Sequence, residues 1–127
     1  MRCIYPQPLI AVADVEKTSQ WYQTILGLES GHGGREYEQL LFEHRMVLQL
    51  HQWQAHDHSH IGDPKRLIGV LLWFESNQFD EIVQKLQTHQ IEILEGPKYN
   101  PNAHHREIWF KDLNGYSLVV ASPYGDL

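Results

Sequence analysis

Apolar and polar positions in the first 51 residues predict one strand, one helix and then three strands. Residues 4–13 are mostly apolar but include Pro6 and Pro8, which cannot donate ladder hydrogen bonds, so this strand should begin at an edge or a bend. Asp14 is a suitable helix N-cap, and Gly27 is suited to end the helix. The helix between them has an apolar face made of Val15, Thr18, Tyr22, Ile25 and Leu26. Three short strands are then predicted at residues 28–30, 35–42 and 45–51.

The same order of elements recurs after an irregular stretch at residues 52–66. Residues 67–75 are a continuous apolar run that predicts a strand, and Ser76 or Asn77 is expected to cap a helix after it. A strand at residues 91–94, a loop at residues 96–102 and a hairpin at residues 107–121 follow. The hairpin turns at Asn114-Gly115, a pair that readily takes positive φ. The apolar face of the second helix comprises Phe79, Ile82, Val83 and Leu86.

The repeated order predicts an α+β fold built from two tandem βαβββ modules. The first module covers about residues 1–51 and the second about residues 67–127, with the loop 52–66 between them. No linker is long enough to separate them, so residues 1–127 are expected to form a single domain.

Composition and charge exclude several classes of protein. A net charge of −6 and a pI near 5.8 argue against a nucleic-acid partner, whose phosphates attract basic surfaces. Cys3 is the only cysteine, so an intrachain disulfide is impossible and a reducing compartment is expected. The first residues carry no signal-peptide pattern, and no apolar run reaches the ~18 residues that a membrane span needs. We therefore expect a cytoplasmic protein without a membrane partner.

Two motifs carry a family resemblance. Asp14…Trp21-Tyr22…Leu26-Gly27-Leu28 resembles the first-helix signature of the vicinal oxygen chelate superfamily, the glyoxalase/bleomycin-resistance/dioxygenase group, and residues 111–116 (KDLNGY) resemble its closing turn. The resemblance implies a curved mixed sheet with a cup-shaped cleft, and it also suggests a homodimer. It implies a divalent metal in the enzymes of the group, although the fold also hosts proteins that bind ligands without catalysis.

The resemblance also assigns four metal-ligand positions, on the first and last strand of each module. Counting from the helix starts and matching the two modules places these positions at Gln7, Gln49, Leu71 and Val119. Leucine and valine have no donor atoms, and a divalent ion needs at least three good donors. We therefore expect no metal or other cofactor at the family position.

Histidines leave a second metal hypothesis open. His51, His56, His58 and His60 lie within ten residues, and such a tract could supply imidazole ligands at a shifted site. The alternative is a hydrophilic loop whose alternate histidines face water.

Strand alternation points to candidate ligand-binding residues. Gln49 and His51 should share one face of their strand, and Trp73 and Glu75 should share one face of theirs, with Gln7 added by the resemblance. An indole offers a flat wall to a ligand, and histidine can act as a donor or a general base. Arg106 and Glu107 are neighbours in one strand, so at most one of them should face the cleft.

Two functional interpretations compete. In the first, the protein binds a small organic molecule in the sheet cleft without the family's usual metal, as the drug-sequestering members of the group do. In the second, it is a glyoxalase-like lyase or isomerase, or a dioxygenase-type enzyme. That enzyme would use a shifted site around His51 and Glu75, with or without metal. The identity of the ligand does not follow from the sequence under either interpretation.

Overall fold

The structure is a computed structural model that describes residues 2–3, 5–54 and 70–126, and the chain divides into two compact units, Met1–Arg66 and Leu67–Leu127. Unit 1 contains β1 (Leu9–Val12), α1 (Val15–Leu26), β2 (Glu29–Ser30), β3 (Tyr37–Phe42) and β4 (Arg45–Gln52). Unit 2 contains β5 (Leu71–Glu75), α2 (Phe79–Thr88), β6 (Ile93–Asn100), β7 (His105–Lys111) and β8 (Ser117–Ala121). Each unit has the order βαβββ, which confirms the predicted α+β architecture of two tandem modules.

The sheet of unit 1 is four-stranded, with the order β1-β4-β3-β2. β1 is parallel to β4, and the other pairs are antiparallel, so the sheet is mixed. Ladder partners project to the same side of a sheet, and successive residues of a strand project to opposite sides. One side therefore carries Ile10, Leu40 and Leu50, which are buried. The other carries Tyr37, Gln49 and His51.

Helix α1 covers the apolar side of this sheet and contacts β3 and β4. Its N-cap is Asp14, whose carboxylate accepts the Lys17 N–H at 2.9 Å. It ends at Gly27, which has φ +70° and donates its N–H to the Gln23 carbonyl at 3.1 Å. The buried face of the helix comprises Val15, Thr18, Ser19, Tyr22 and Ile25. This agrees with the prediction except that Leu26 is only half-buried and Ser19 is buried instead.

The first strand is shorter than the predicted segment of residues 4–13. β1 covers only Leu9–Val12, and Ile4 lies outside the described residues. Pro6 and Pro8 explain the late start because neither has an N–H for a ladder. The Pro8 carbonyl still accepts the Gln49 N–H at 2.8 Å, so the chain reaches β4 before the strand begins.

The sheet of unit 2 repeats the pattern with the order β5-β8-β7-β6, and β5 is parallel to β8. The guanidinium of Arg106 lies 4.7 Å above the Phe79 ring of α2, which identifies the side of the sheet that the helix covers. Strand alternation then places Leu72, Ile108 and Val120 on the α2 side, and these residues are buried. The buried helix face comprises Phe79, Ile82 and Leu86, while the predicted fourth member, Val83, is half-buried.

Two local predictions in unit 2 are wrong. Residues 96–102 are not a loop, because β6 runs from Ile93 to Asn100, and register shifts against β7 accommodate Gly96 and Pro97. Neither Ser76 nor Asn77 is the N-cap of α2; the N-cap is Gln78, and no side chain caps it. Ser76 Oγ instead accepts the Gln78 N–H at 3.0 Å, because the three residues form a turn before the helix starts.

The turn of the last hairpin follows the prediction in part. Gly115 has φ +94°, but Asn114 does not take positive φ. The carboxylate of Asp112 organises the turn by accepting hydrogen bonds from the N–H groups of Asn114 and Tyr116 at 2.8 and 2.9 Å.

Among residues 2–3, 5–54 and 70–126, no helix has the length and apolar character needed to cross a bilayer.

Candidate functional site

The side of unit 2's sheet opposite α2 carries two tryptophans; we call this side the indole face and define it by Trp73, His105, Glu107 and Trp109. Trp73 on β5 and Trp109 on β7 are both ladder partners of Val119 on β8. Their ring centroids are 6.4 Å apart with an interplanar angle of 83°, an edge-to-face pair. Two strand spacings separate β5 from β7, roughly 10 Å, so the indoles lean toward each other over Val119.

Glu107 is the polar centre of the indole face and is only 3% exposed. Its Oε2 accepts from His105 Nε2 at 2.8 Å and from Asn100 Nδ2 at 3.2 Å. Its Oε1 accepts from Trp109 Nε1 at 3.1 Å. Burial alone raises the pKa of Glu107, but these hydrogen bonds outweigh burial and hold the pKa below its usual value. Glu107 is therefore a carboxylate at neutral pH.

His105 lies between Glu107 and Trp73. Its ring centroid is 5.8 Å from that of Trp73, with an interplanar angle of 47°. The side chain is 6% exposed, whereas Trp73 is 47% exposed. The indole face thus combines an accessible flat ring with a buried, oriented imidazole.

The corresponding side of unit 1 carries a network of amide and phenol groups. Tyr37 donates its hydroxyl hydrogen to Gln49 Oε1 and accepts from Gln39 Nε2 at 3.1 Å. Gln49 Nε2 donates to the Gln7 carbonyl at 2.9 Å. Both ends of the Gln49 amide are therefore occupied by neighbours in the protein. Gln7 itself is exposed and lies before the start of β1.

His51 shares the side of Gln49, as strand alternation predicted. It is buried, and its Nδ1 donates to the Gln52 carbonyl at 3.0 Å. Its ring lies 6.2 Å from that of Tyr37. The contact with backbone holds the imidazole against its own strand.

The predicted pairing of Trp73 with Glu75 on one side of β5 is confirmed. Glu75 is exposed, and it accepts the Tyr124 N–H at 3.3 Å. Of the neighbours Arg106 and Glu107, it is Glu107 that lies on the side of Trp73, because Arg106 binds Asp80 of α2 at 2.8 Å. The histidines at 56, 58 and 60 lie outside the described residues, so the shifted metal site remains a prediction.

The candidate ligand-binding residues from the sequence do not include Tyr37, Asn100, His105 or Trp109. One signal was available: His105, Glu107 and Trp109 alternate along a single strand, which places them on one side. Asn100 joins them only because β6 continues to residue 100 and pairs with His105. The mistaken loop at residues 96–102 concealed that contact.

A polar cavity of about 200 Å³ lies on the α2 side of unit 2. It is lined by Arg106 and by acidic residues that include Asp80, Glu81 and Asp126. Asp80 binds the terminal nitrogens of the Arg106 guanidinium, whereas Arg106 Nε is buried without a hydrogen-bond partner among the described residues.

Comparison with known proteins identifies the family. The model of the Glyoxalase/Bleomycin resistance protein/Dioxygenase superfamily matches residues 5–120. The chain belongs to this superfamily. No curated protein matches the sequence.

Solved structures show the same superfamily fold. An integron cassette protein from the mobile metagenome of V. cholerae is 21% identical, with a TM-score of 0.73, over 96% of this chain and 97% of that one. Lactoylglutathione lyase from Agrobacterium tumefaciens is 17% identical, with a TM-score of 0.73, over 96% and 95%. The fosfomycin resistance protein FosX from Listeria monocytogenes, complexed with Mn(II) and sulfate, is 15% identical, with a TM-score of 0.72, over 97% and 92%. Likeness at these identities establishes the fold alone.

The superfamily's metal does not fit the side chains present at the assigned positions. Leu71 and Val119 contain no donor atoms, and the amide of Gln49 is engaged by Tyr37 and by the Gln7 carbonyl. Val119 is also fully buried. Neutral amides without an imidazole or carboxylate are poor ligands for a divalent ion.

Proposed function

We propose that the protein is a binding member of its superfamily that holds a small, flat organic molecule on the indole face. One observation carries this proposal: the half-exposed indole of Trp73 stands at right angles to Trp109 and beside the buried His105–Glu107 pair. A ligand ring could stack on the open indole while a polar edge meets the imidazole.

The exposed part of Trp73 sets the scale of the expected affinity. A tryptophan side chain offers about 250 Å², so an exposed fraction of 47% leaves roughly 120 Å² for a ligand to cover. At about 25 cal/mol per Å² this amounts to about 3 kcal/mol before the costs of ordering the ligand are subtracted. A tenfold change in Kd corresponds to about 1.4 kcal/mol, so loss of the Trp73 indole should raise Kd more than tenfold.

The test is a screen of aromatic fragments by NMR, observing the indole N–H signals, followed by titration of the hits against variants. We expect Trp73→Ala to raise Kd at least tenfold. Tyr124→Ala removes another exposed aromatic ring of unit 2 and should leave Kd unchanged. If both variants bind the hits as the wild type does, the ligand does not occupy the indole face.

Gln49, His51 and Gln7 remain proposed ligand contacts of unit 1. Their support is the polar network on the side of the sheet opposite α1, where Gln49 and His51 lie together. The variant His51→Ala, titrated with the same hits, tests this part separately. An unchanged Kd would remove the unit 1 residues from the proposal and leave the indole face in place.

Binding should not require a metal, since the donor set does not fit one. FosX is described with Mn(II), so Mn²⁺ is the appropriate ion to add. We expect the Kd of a fragment hit to be the same after dialysis against EDTA and after addition of Mn²⁺. A metal-dependent change would instead point to ligands outside the assigned positions, with the histidines at 56, 58 and 60 as the first candidates.

The alternative interpretation, an enzyme using His51 and Glu75, has less support. Glu75 is exposed and receives the Tyr124 N–H, while His51 donates to backbone. Turnover of a fragment hit that is lost in His51→Ala would nevertheless promote this interpretation above simple binding.

Family resemblance also supports a proposed homodimer. Light scattering at micromolar concentration tests it, and a monomeric mass would remove the assembly proposal without affecting the fold.

A further inference from the structure

The arrangement around His105 restricts which of its nitrogens carries a proton. Nε2 lies 2.8 Å from Glu107 Oε2, and a carboxylate only accepts hydrogen bonds. The proton of a neutral His105 therefore sits on Nε2, and the lone pair sits on Nδ1. Asn100 and Trp109 complete the partners of Glu107, so its carboxylate is fixed in place and holds the imidazole in one orientation.

In the neutral ring, Nδ1 of His105 has no hydrogen-bond partner among the described residues. The residue as a whole is 6% exposed, and its ring lies 5.8 Å from the half-exposed indole of Trp73. A ligand that covers this indole would therefore lie next to the imidazole.

We infer that the ligand is an aromatic molecule with a hydrogen-bond donor, a hydroxyl or an N–H, at the edge of its ring. Its ring stacks on Trp73, and its donor meets Nδ1 of His105. This inference rests on the proposed function and narrows it to one chemical class: phenols and N–H heterocycles bind, and their O-methyl or N-methyl derivatives bind weakly. Sites built around a specific hydrogen bond discriminate strongly because an unmatched polar group is left desolvated.

Two matched probes test the inference: 2-naphthol, which has the donor, and 2-methoxynaphthalene, which has the same rings without it. We expect the wild type to bind 2-naphthol at least tenfold tighter, even though the methyl ether is the more apolar molecule. In His105→Phe, which keeps a ring of similar size, this preference should fall to about one. Trp73→Ala should weaken both probes by a similar factor and keep the preference.

Each outcome bears on a different claim. Equal binding of the two probes, with both depending on Trp73, overturns the donor inference and leaves the proposed function intact. Binding that is insensitive to Trp73→Ala overturns the proposed function, and the inference with it. Failure of 2-naphthol to bind the wild type at its solubility limit also overturns the inference, while the fragment screen still decides the proposed function.

A second measurement covers the case in which His105→Phe fails to fold. Nitrogen-15 NMR of the wild-type imidazole reports which ring nitrogen is protonated. We expect His105 to carry its proton on Nε2 alone and the Nδ1 signal to move when 2-naphthol is added. A proton on Nδ1 in the free protein, or an Nδ1 signal that ignores the probe, contradicts the inference.

Discussion

Replacement of Glu38 by glutamine should destabilise unit 1 although the residue lies on the side of the sheet opposite to the proposed ligand contacts Gln49 and His51. Glu38 is 3% exposed, on the side of β3 that faces α1. Its carboxylate accepts five hydrogen bonds: from Ser19 Oγ at 2.8 Å, Ser30 Oγ at 2.7 Å, and the N–H groups of His32, Gly33 and Gln39 at 3.1, 2.6 and 2.9 Å. It therefore joins the helix, the end of β2 and the following turn to the centre of the sheet.

The size of the effect follows from the loss of charge. Hydrogen bonds to a charged group contribute roughly 1.5–3 kcal/mol and neutral ones roughly 0.5–1.5 kcal/mol, so each bond should lose about 1 kcal/mol. The losses do not add, since all five bonds share one group and burial of its charge opposes them. The glutamine oxygen can still accept N–H groups, and the two hydroxyls can turn toward the amide nitrogen. We therefore expect Glu38→Gln to lower the free energy of unfolding by about 2 kcal/mol near neutral pH.

The pH dependence of this loss follows from the pKa of Glu38. Burial raises that pKa, but the hydrogen bonds from Gly33, Ser30, Ser19 and His32 outweigh burial and lower it from the ordinary value of 4.5. A depressed carboxylate pKa stabilises the fold above the unfolded value, and this stabilisation is lost as pH falls through the folded value. The difference between wild type and variant should therefore narrow below pH 4.5.

The assay is urea unfolding followed by far-UV circular dichroism at about pH 7 and about pH 3.5. The matched control is Glu36→Gln, an exposed neighbour that should change stability by less than about 0.5 kcal/mol. If Glu38→Gln and Glu36→Gln shift the urea midpoint equally, or if the difference is the same at both pH values, the charged hydrogen-bond cluster does not stabilise the fold as argued.

Four further predictions follow from the local geometry. Asp14→Ala should lower the free energy of unfolding by about 1 kcal/mol, because it removes the acceptor of the Lys17 N–H. An unchanged melting temperature in thermal unfolding would contradict this. Gly27→Ala should cost about 1 kcal/mol, since φ is +70° but no atom lies within 4 Å of the added Cβ. Gly96→Ala should cost clearly more, because its φ is +88° and its Cβ would lie 2.6 Å from the Glu107 carbonyl oxygen; equal urea midpoints for the two variants would contradict this. Glu107→Gln should reduce the preference for 2-naphthol over 2-methoxynaphthalene in titration calorimetry, because the His105 ring is then less firmly oriented. An unchanged preference would show that the carboxylate is not needed to orient His105.

Local chemistry explains which parts of the fold were predictable from the sequence. Asp14 and Gly27 set the ends of α1 through contacts within a single turn, so their roles could be assigned without knowing the tertiary structure. Strand alternation assigns Arg106 and Glu107 to opposite sides of the sheet for the same reason. The assignment depends only on the two residues being consecutive in one strand. The caps of α1 and the sides of the strands were therefore correct.

The parts that failed depend on partners distant in sequence. Gly96 and Pro97 are typical of a loop, and only pairing with β7 turns their segment into a strand with a bulge. Glu38 resembles any surface glutamate of an alternating strand until Ser19 and the turn at His32 are brought to it. Neither result follows from local propensity, because the compensating hydrogen bonds come from other elements.

The indole face keeps the backbone arrangement of the superfamily but carries an apolar side chain at an assigned metal-ligand position. On β8, the position that the family resemblance assigns to a metal ligand is Val119, with Trp73 and Trp109 as its ladder partners on either side. Its neighbours therefore suit an apolar side chain, and a carboxylate there would lie desolvated between two indoles. The polar chemistry of this face lies instead on β7, where Glu107 is satisfied by three side-chain donors and orients His105. Ladder partners on adjacent strands project to the same side of the sheet, so a polar group on β7 lies on the same side as the assigned position on β8. Under the proposed function, this side would contact its ligand through hydrogen bonds and an indole ring, with no metal ligand at Val119.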